Sequence, residues 1–212
     1  MITGADAIVA DCDGTLVATE VLWGLAERSV TEGLGGAWSM DLKRGLVGRS
    51  IEASALAIAD WCGVDRARGP EIAADLHDAY ATVLAREPVA PKPGAEVLLA
   101  ELRAWGIPVA VASNSTAGEV ALALERAGLA RHVTSIHTPG EGGAAPKPAP
   151  DIYTNACRAL GVPPAAAIAI EDSQAGLDAA RAAGLTTVGV PSLPGQTLVA
   201  TLVVTSLADL MT

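Results

Sequence analysis

Two aspartates set two positions apart, Asp11 and Asp13, end the apolar run AIVA and are followed at once by Gly14, in the stretch VADCDGTL. On an extended chain both carboxylates leave the same face while Cys12 leaves the other. Buried carboxylates this close repel, and the pair survives if a divalent cation or a shared proton compensates. Gly14 lets the backbone approach a ligand closely. A second acidic pair, Glu171 and Asp172, closes the run AIAI. Taken alone, that pair fits a helix N-terminus equally well, because the helix dipole favours acid there. Two such pairs at one edge point to a hard-cation site, since Mg²⁺ takes one or two carboxylates together with carbonyl, water and phosphate oxygens. An EF-hand loop is excluded by spacing: its glycine falls at the sixth position, and Gly14 falls at the fourth.

The remaining polar clusters suit a phosphate. Ser113, Asn114 and Ser115 follow IPVAVA. Small hydroxyls and backbone N–H groups at a helix start bind phosphoryl oxygens, and the same residues also serve as ordinary N-caps. Lys147 lies between Pro146 and Pro148, whose rings restrict the backbone and help aim the side chain. Its compact charge suits a phosphate or a nucleophilic carboxylate. Lys92 sits in the same Pro-Lys-Pro frame, so spacing alone does not choose between them; Lys147 follows a strand-like segment, whereas Lys92 follows a helical stretch. Cys62 and Arg68, in CGVDRAR, match the C-x5-R spacing of cysteine phosphatases. That short pattern arises readily by chance, follows a helical stretch and contains an aspartate.

The elements that must position these groups are short. AIVA, IPVAVA, VTSI, AIAI and TTVGV have strand length and break off at polar clusters, with helical patterns such as GAEVLLAELRAWG and SQAGLDAARAAG between them. This alternation predicts an α/β fold with a parallel sheet, in which ligands bind beyond the carboxyl ends of the strands. APKPGAEVLLAELRAWGIP (90–108) and APKPAPDIYTNACRALGVP (145–163) repeat one loop, helix and turn. Residues 17–86 carry no convincing buried strand, and TEVLWGLAERSV, SIEASALAIADW and PEIAADLHDAYATVLARE predict helices, so this stretch reads as a helical insertion. Trp23, Trp38, Trp61 and Tyr80 fall inside it and are expected to form its own small core.

With 212 residues and 50% hydrophobic content, the chain can bury a sizeable core. Its net charge of −10 argues against nucleic acid and against an anionic membrane surface as partners. No apolar stretch suggests a membrane span, and the start MITGADAIVA lacks the features of a signal peptide, so the expected location is cytoplasmic. Cys12, Cys62 and Cys157 are far apart and form no CxxC pair, which predicts neither a disulfide frame nor a zinc site.

DCDGTL, SNS, KPAPDIY and EDSQAGLDAARAAG, in that order along nearly the whole chain, closely resemble the four motifs of the haloacid dehalogenase-like superfamily, in the branch with a helical cap inserted after the first motif. The resemblance implies a Rossmann-like core over 1–16 and 87–212, with 17–86 as a cap over the active site. It implies Asp11 as a nucleophile that becomes an aspartyl-phosphate, and Asp13 as general acid and base. Ser113, with Asn114 and Gly14, would hold the transferring phosphoryl group, and Lys147 would steady Asp11 and the phosphate. Mg²⁺ would be bound by Asp11, Asp172 and the backbone carbonyl of Asp13, with Glu171 beside it.

Asp13 also selects within the superfamily. Dehalogenases lack an acid at that position and phosphonate-cleaving relatives carry alanine there, so Asp13 points to phosphoryl transfer. LKRGLVGRS resembles the cap's substrate-specificity region and offers Arg49 and Ser50 as substrate contacts; beta-phosphoglucomutases have serine before arginine there, the reverse of this order. DCDGTLVATE is similar to the first motif of sugar-phosphate phosphatases, which continues Asp-Ser-Glu; Ala18 and Thr19 depart from it, and Glu20 is a third substrate candidate. The expected activity is Mg²⁺-dependent hydrolysis of a small phosphorylated metabolite, a sugar phosphate. A hexose-phosphate mutase is the alternative, using the same Asp11 and Asp13. A receiver-like signalling protein ranks last, because receivers carry the phosphorylated aspartate after the acidic pair and have no helical cap.

Overall fold

Runs of Ala, Val and Ile four or five residues long suit strands buried on both faces. In the computed structural model, which describes residues 2–211, six strands, two of them shorter than four residues, build one sheet: β1 (Ala7–Ala10), β2 (Val109–Ala112), β3 (Ser135–His137), β4 (Ala167–Glu171), β5 (Thr186–Gly189) and β6 (Leu202–Val203). The order is β3-β2-β1-β4-β5-β6 and every neighbouring pair is parallel. This is the Rossmann-like α/β architecture that the alternation predicts. The chain places β2 on one side of β1 and β4 on the other, so the order reverses at β1. A crevice opens at such a switch point, beyond the carboxyl ends of the strands. Asp11, Ser113 and Asp172 therefore emerge next to one another.

Side chains alternate across the strands, and the two faces differ in bulk. Ile8, Val109, Val111, Ile170 and Val188 pack with Leu98, Leu99 and Leu102 of α5 (Ala95–Ala104) and Val120 and Leu124 of α6 (Ala117–Arg126). The opposite face presents Ala7, Ala110, Ala112, Ala167 and Ala169, small enough for close approach by α7 (Asp151–Leu160) and α8 (Gln174–Ala183).

Between β1 and α5 the chain forms α1 (Glu20–Gly33), α2 (Met40–Leu46), α3 (Ile51–Cys62) and α4 (Gly69–Arg86). Their apolar stripes meet around Leu42, Leu46, Ile58, Ile72 and Leu76. The expectation for the aromatics needs correcting. Trp38 packs against that cluster, but Tyr80 is buried with the sheet-side core, Trp23 packs against both clusters, and Trp61 is exposed. The lower halves of α1 and α4 thus continue the main core. The outgoing and returning chains also run together, with Ala18 N donating to Ala90 O and Lys92 N to Leu16 O, each at 2.9 Å. Arg126 of α6 donates to Ala85 O at 2.8 Å and Glu87 O at 3.0 Å, holding the end of α4. Among the described residues, no helix is long and apolar enough to cross a membrane.

Candidate active site

Asp11 continues β1, its N–H donating to Ile170 O at 2.9 Å, so its carboxylate stands between the ends of β2 and β4. Lys147 reaches it from the loop before α7. Its Nζ donates to Asp11 Oδ1 at 2.7 Å and to Glu171 Oε1 at 2.5 Å. Glu171 is fully buried; Tyr153 O–H donates to the same Oε1 at 2.6 Å, while the N–H and hydroxyl of Ser173 donate to Oε2. Asp11, Glu171 and Asp172 each turn one oxygen into a single space, all within 4.8 Å of one another. One lysine faces three buried carboxylates, and Asp11 Oδ2 is buried without a hydrogen-bond partner. A hard dication satisfies both the charge and the orphan oxygen, so the residues present fit Mg²⁺.

The electrostatics carry the same message. Burial pushes the Asp11 carboxyl up to about 7; Lys147 pulls it back, while Glu171 and Asp13 push further. Asp172 is driven well above the carboxylate range by burial and by Asp11 and Glu171. Burial alone would depress Lys147, but Asp11 and Glu171 hold it firmly protonated. A stability dependence follows. Without metal, folded Asp11 binds its proton up to about pH 7, whereas the unfolded side chain releases it near 3.8. The folded state therefore holds more protons across that window and loses stability as pH rises through it. Chelator-treated protein is expected to show a falling Tm between pH 5 and 8, and saturating Mg²⁺ to flatten the slope; equal slopes with and without Mg²⁺ would exclude a metal at this carboxylate cluster.

Two glycines make room for these acids. Gly14 has φ 84°, and a Cβ there would strike the Asp172 carboxylate, so this glycine accommodates the acid from β4. Gly176, in the first turn of α8, lies against Glu171, and a Cβ would occupy the space of that carboxylate. Gly176→Ala is expected to lose about 1–3 kcal/mol by overpacking, despite alanine's better helix propensity. Urea unfolding measures it; an unchanged or higher midpoint would show that Glu171 has room to shift.

Asp13 is tied elsewhere. Thr19 Oγ1 donates to its Oδ1 at 2.8 Å, Trp23 Nε1 at 3.2 Å and Tyr80 O–H at 3.1 Å. Its Oδ2 accepts from Ser113 Oγ at 3.1 Å and Ser115 Oγ at 2.8 Å. Thr19 precedes α1 yet spends its hydroxyl on Asp13, leaving no side-chain cap for that helix. Burial and the nearby Asp13 charge push the Tyr80 phenol upward, so it remains a donor.

The cavity beside these groups is lined from the sheet side by Asp11, Asp13, Ser113, Lys147 and Asp172, from the helices by residues including Glu20, Trp23 and Lys43, and by Arg49 from the loop between α2 and α3. Asn114 also borders it, but its Oδ1 accepts from Lys147 N at 2.8 Å, which holds the lysine's loop. Ser50 does not line it; its hydroxyl caps α3 by accepting from Ala53 N, and Ser54, one turn on, faces the cavity instead. Arg49 donates to Gly45 O. Glu20 pairs with Lys92 at 2.7 Å, which answers which Pro-Lys-Pro lysine meets Asp11. Lys43 pairs with buried Glu27 at 2.9 Å, so each of the three lysines is held by acid beside this cavity. Trp23, Tyr80, Tyr153 and Ser54 were not among the residues singled out from sequence for the site.

A buried carboxylate at the switch point of a parallel sheet, with a lysine on one oxygen and acids beside the other, suits phosphoryl chemistry. The model of the haloacid dehalogenase-like hydrolases matches residues 5–184, and the chain belongs to that family. Protein CbbY of Rhodobacter capsulatus is 36% identical over 196 residues, covering 88% of this chain and 85% of the relative. The beta-phosphoglucomutase of Bacillus subtilis is 30% identical over 210 residues, covering 96% and 91%. A crystal structure of a CbbY variant from Rhodobacter sphaeroides in complex with xylulose-(1,5)bisphosphate superposes with TM-score 0.82 at 29% identity, covering 97% of this chain and 96% of that one.

Proposed function

We propose that the chain is a Mg²⁺-dependent phosphatase that releases inorganic phosphate from a small phosphorylated sugar through a phosphoryl group carried transiently on Asp11. The observation that carries this reading is Asp11 itself, with Oδ1 held by Lys147 and Oδ2 buried without a partner beside Asp172. Asp11 attacks phosphorus and the phosphorus–ester oxygen bond breaks, while Asp13 gives its proton to the departing oxygen. Asp13 then takes a proton from water, whose oxygen displaces Asp11 and leaves inorganic phosphate. Ser113 and Lys147 donate to the transferring group. Asp11, Asp172 and the Asp13 carbonyl would hold Mg²⁺, which when bound neutralises charge on the phosphoryl oxygens. Glu171, with both oxygens engaged, orients Lys147. The helices of 17–86 serve as the cap, supported by the cavity residues they supply.

A sugar phosphate is favoured by the sugar bisphosphate in the CbbY structure and by the name of the Bacillus relative. The test is phosphate release from a panel of sugar phosphates and other small phosphate esters, with and without Mg²⁺, with Asp11→Asn as control. Release that needs both Mg²⁺ and Asp11 is expected. Interconversion of hexose phosphates without release would replace the phosphatase by a mutase, and a long-lived phosphoprotein without turnover by a receiver-like role.

A further inference from the structure

Asp13 accepts five hydrogen bonds, more than the roughly four lone-pair sites of a carboxylate accommodate well. To exchange a proton with a substrate, it must give up at least one donor. The donors divide unequally between its oxygens. Oδ1 is held by Thr19 and by two aromatic groups from different helices, Trp23 on α1 and Tyr80 on α4, whose rings stack 3.7 Å apart at 8°. Each ring fixes the other, and Tyr80 is fully buried. Oδ2 is held by the hydroxyls of Ser113 and Ser115, and Ser113 is the residue assigned above to the phosphoryl group.

We propose that the stacked Trp23–Tyr80 pair positions Asp13 by anchoring Oδ1, and that Oδ2 is the oxygen that transfers the proton once Ser113 turns from it to the arriving phosphoryl group. The proposal rests on the function assigned above. In the first half-reaction Oδ2–H gives its proton to the ester oxygen, which keeps the electron pair of the broken phosphorus–oxygen bond, and Asp13 is left ionised. In the second, Oδ2 takes a proton from the attacking water. Trp23 and Tyr80 stay with Oδ1 throughout and touch no reacting atom. Both come from the inserted helices, so the orientation of Asp13 depends on how those helices seat against the sheet.

The test uses Tyr80→Phe and Trp23→Phe, which keep a ring and remove the donor. Single-turnover phosphoryl transfer is followed with p-nitrophenyl phosphate, whose leaving group departs without a proton, and with the alkyl ester of the panel that the wild-type protein cleaves fastest. Positioning of a general acid predicts that each variant slows the alkyl ester about tenfold more than the aryl ester. A purely structural role slows both alike, and that result, or no slowing of either, overturns the proposal. Thermal unfolding of each variant reports any loss of fold, and the ratio of the two esters is independent of the fraction folded. If Asp11→Asn protein cleaves both esters at the wild-type rate, the assigned function itself fails; if it is inactive and the ratio is unmoved, the positioning role alone fails.

Discussion

Asp11→Asn protein is expected to lose phosphate release by about 10⁴-fold or more, yet to unfold at a higher temperature than the wild type when metal is chelated. The two effects have one cause. The carboxylate is the proposed nucleophile, and an amide oxygen is too weak to replace it, so the expected loss is of the size seen when other covalent nucleophiles are removed. In the metal-free fold the same carboxylate is one of three buried beside a single lysine, and burial first, then the neighbouring acids, raise its pKa. Asparagine keeps the shape and an acceptor for Lys147 while removing one negative charge. A gain of about 1–2 kcal/mol, roughly 2–8 °C in a chain this size, is expected in chelator. Scanning calorimetry of both proteins, with chelator and then with Mg²⁺, gives the answer. A lower Tm for the variant in chelator would mean that the Lys147 ion pair outweighs the repulsion, and residual turnover above about one per cent would exclude Asp11 as the nucleophile.

Lys147→Met is expected to act in the opposite direction on the fold while also abolishing turnover. It leaves Asp11, Glu171 and Asp172 buried with no cation, and removing one partner of a buried pair costs about 3–5 kcal/mol. The loss should be smaller at pH 5 than at pH 8, because Asp11 can escape by taking up a proton below about 7. Adding Asp11→Asn should recover part of the loss, since the two residues touch and their effects do not add. Urea unfolding of the four proteins at both pH values closes the cycle. Additive changes would show that the 2.7 Å contact carries no coupling.

The acids of the site were legible because the sheet makes strand ends converge: Asp11, Ser113 and Asp172 each follow an apolar run, and parallel topology brings those ends together. Lys147 was legible in type and ambiguous in place, because Lys92 repeats its frame and the pairing partner, Glu20 or Asp11, depends on where the loops fold. Trp23 and Tyr80 left no local signal. Their spacing fits a helical core stripe, and the hydrogen bonds that give them a use reach Asp13 from 10 and 67 residues away. Ser50 was ambiguous because a serine before a helix suits both a ligand and a cap, and in this structure its hydroxyl caps α3. The seven residues of α2 and the two of β6 are too short for their periods to register, although Ser39 and Asp41 do mark the start of α2.

All three lysines sit in ion pairs around one cavity, and their side chains are only 3%, 7% and 18% exposed. The positive charge on the outside of this acidic molecule therefore comes from arginine. An amine-reactive reagent meets almost no free ammonium side chain on the native protein, and all three lysines become available when the chain unfolds and these ion pairs come apart. The number of acylated lysines per molecule, read by mass spectrometry, thus counts opening events in a chain that needs no introduced label.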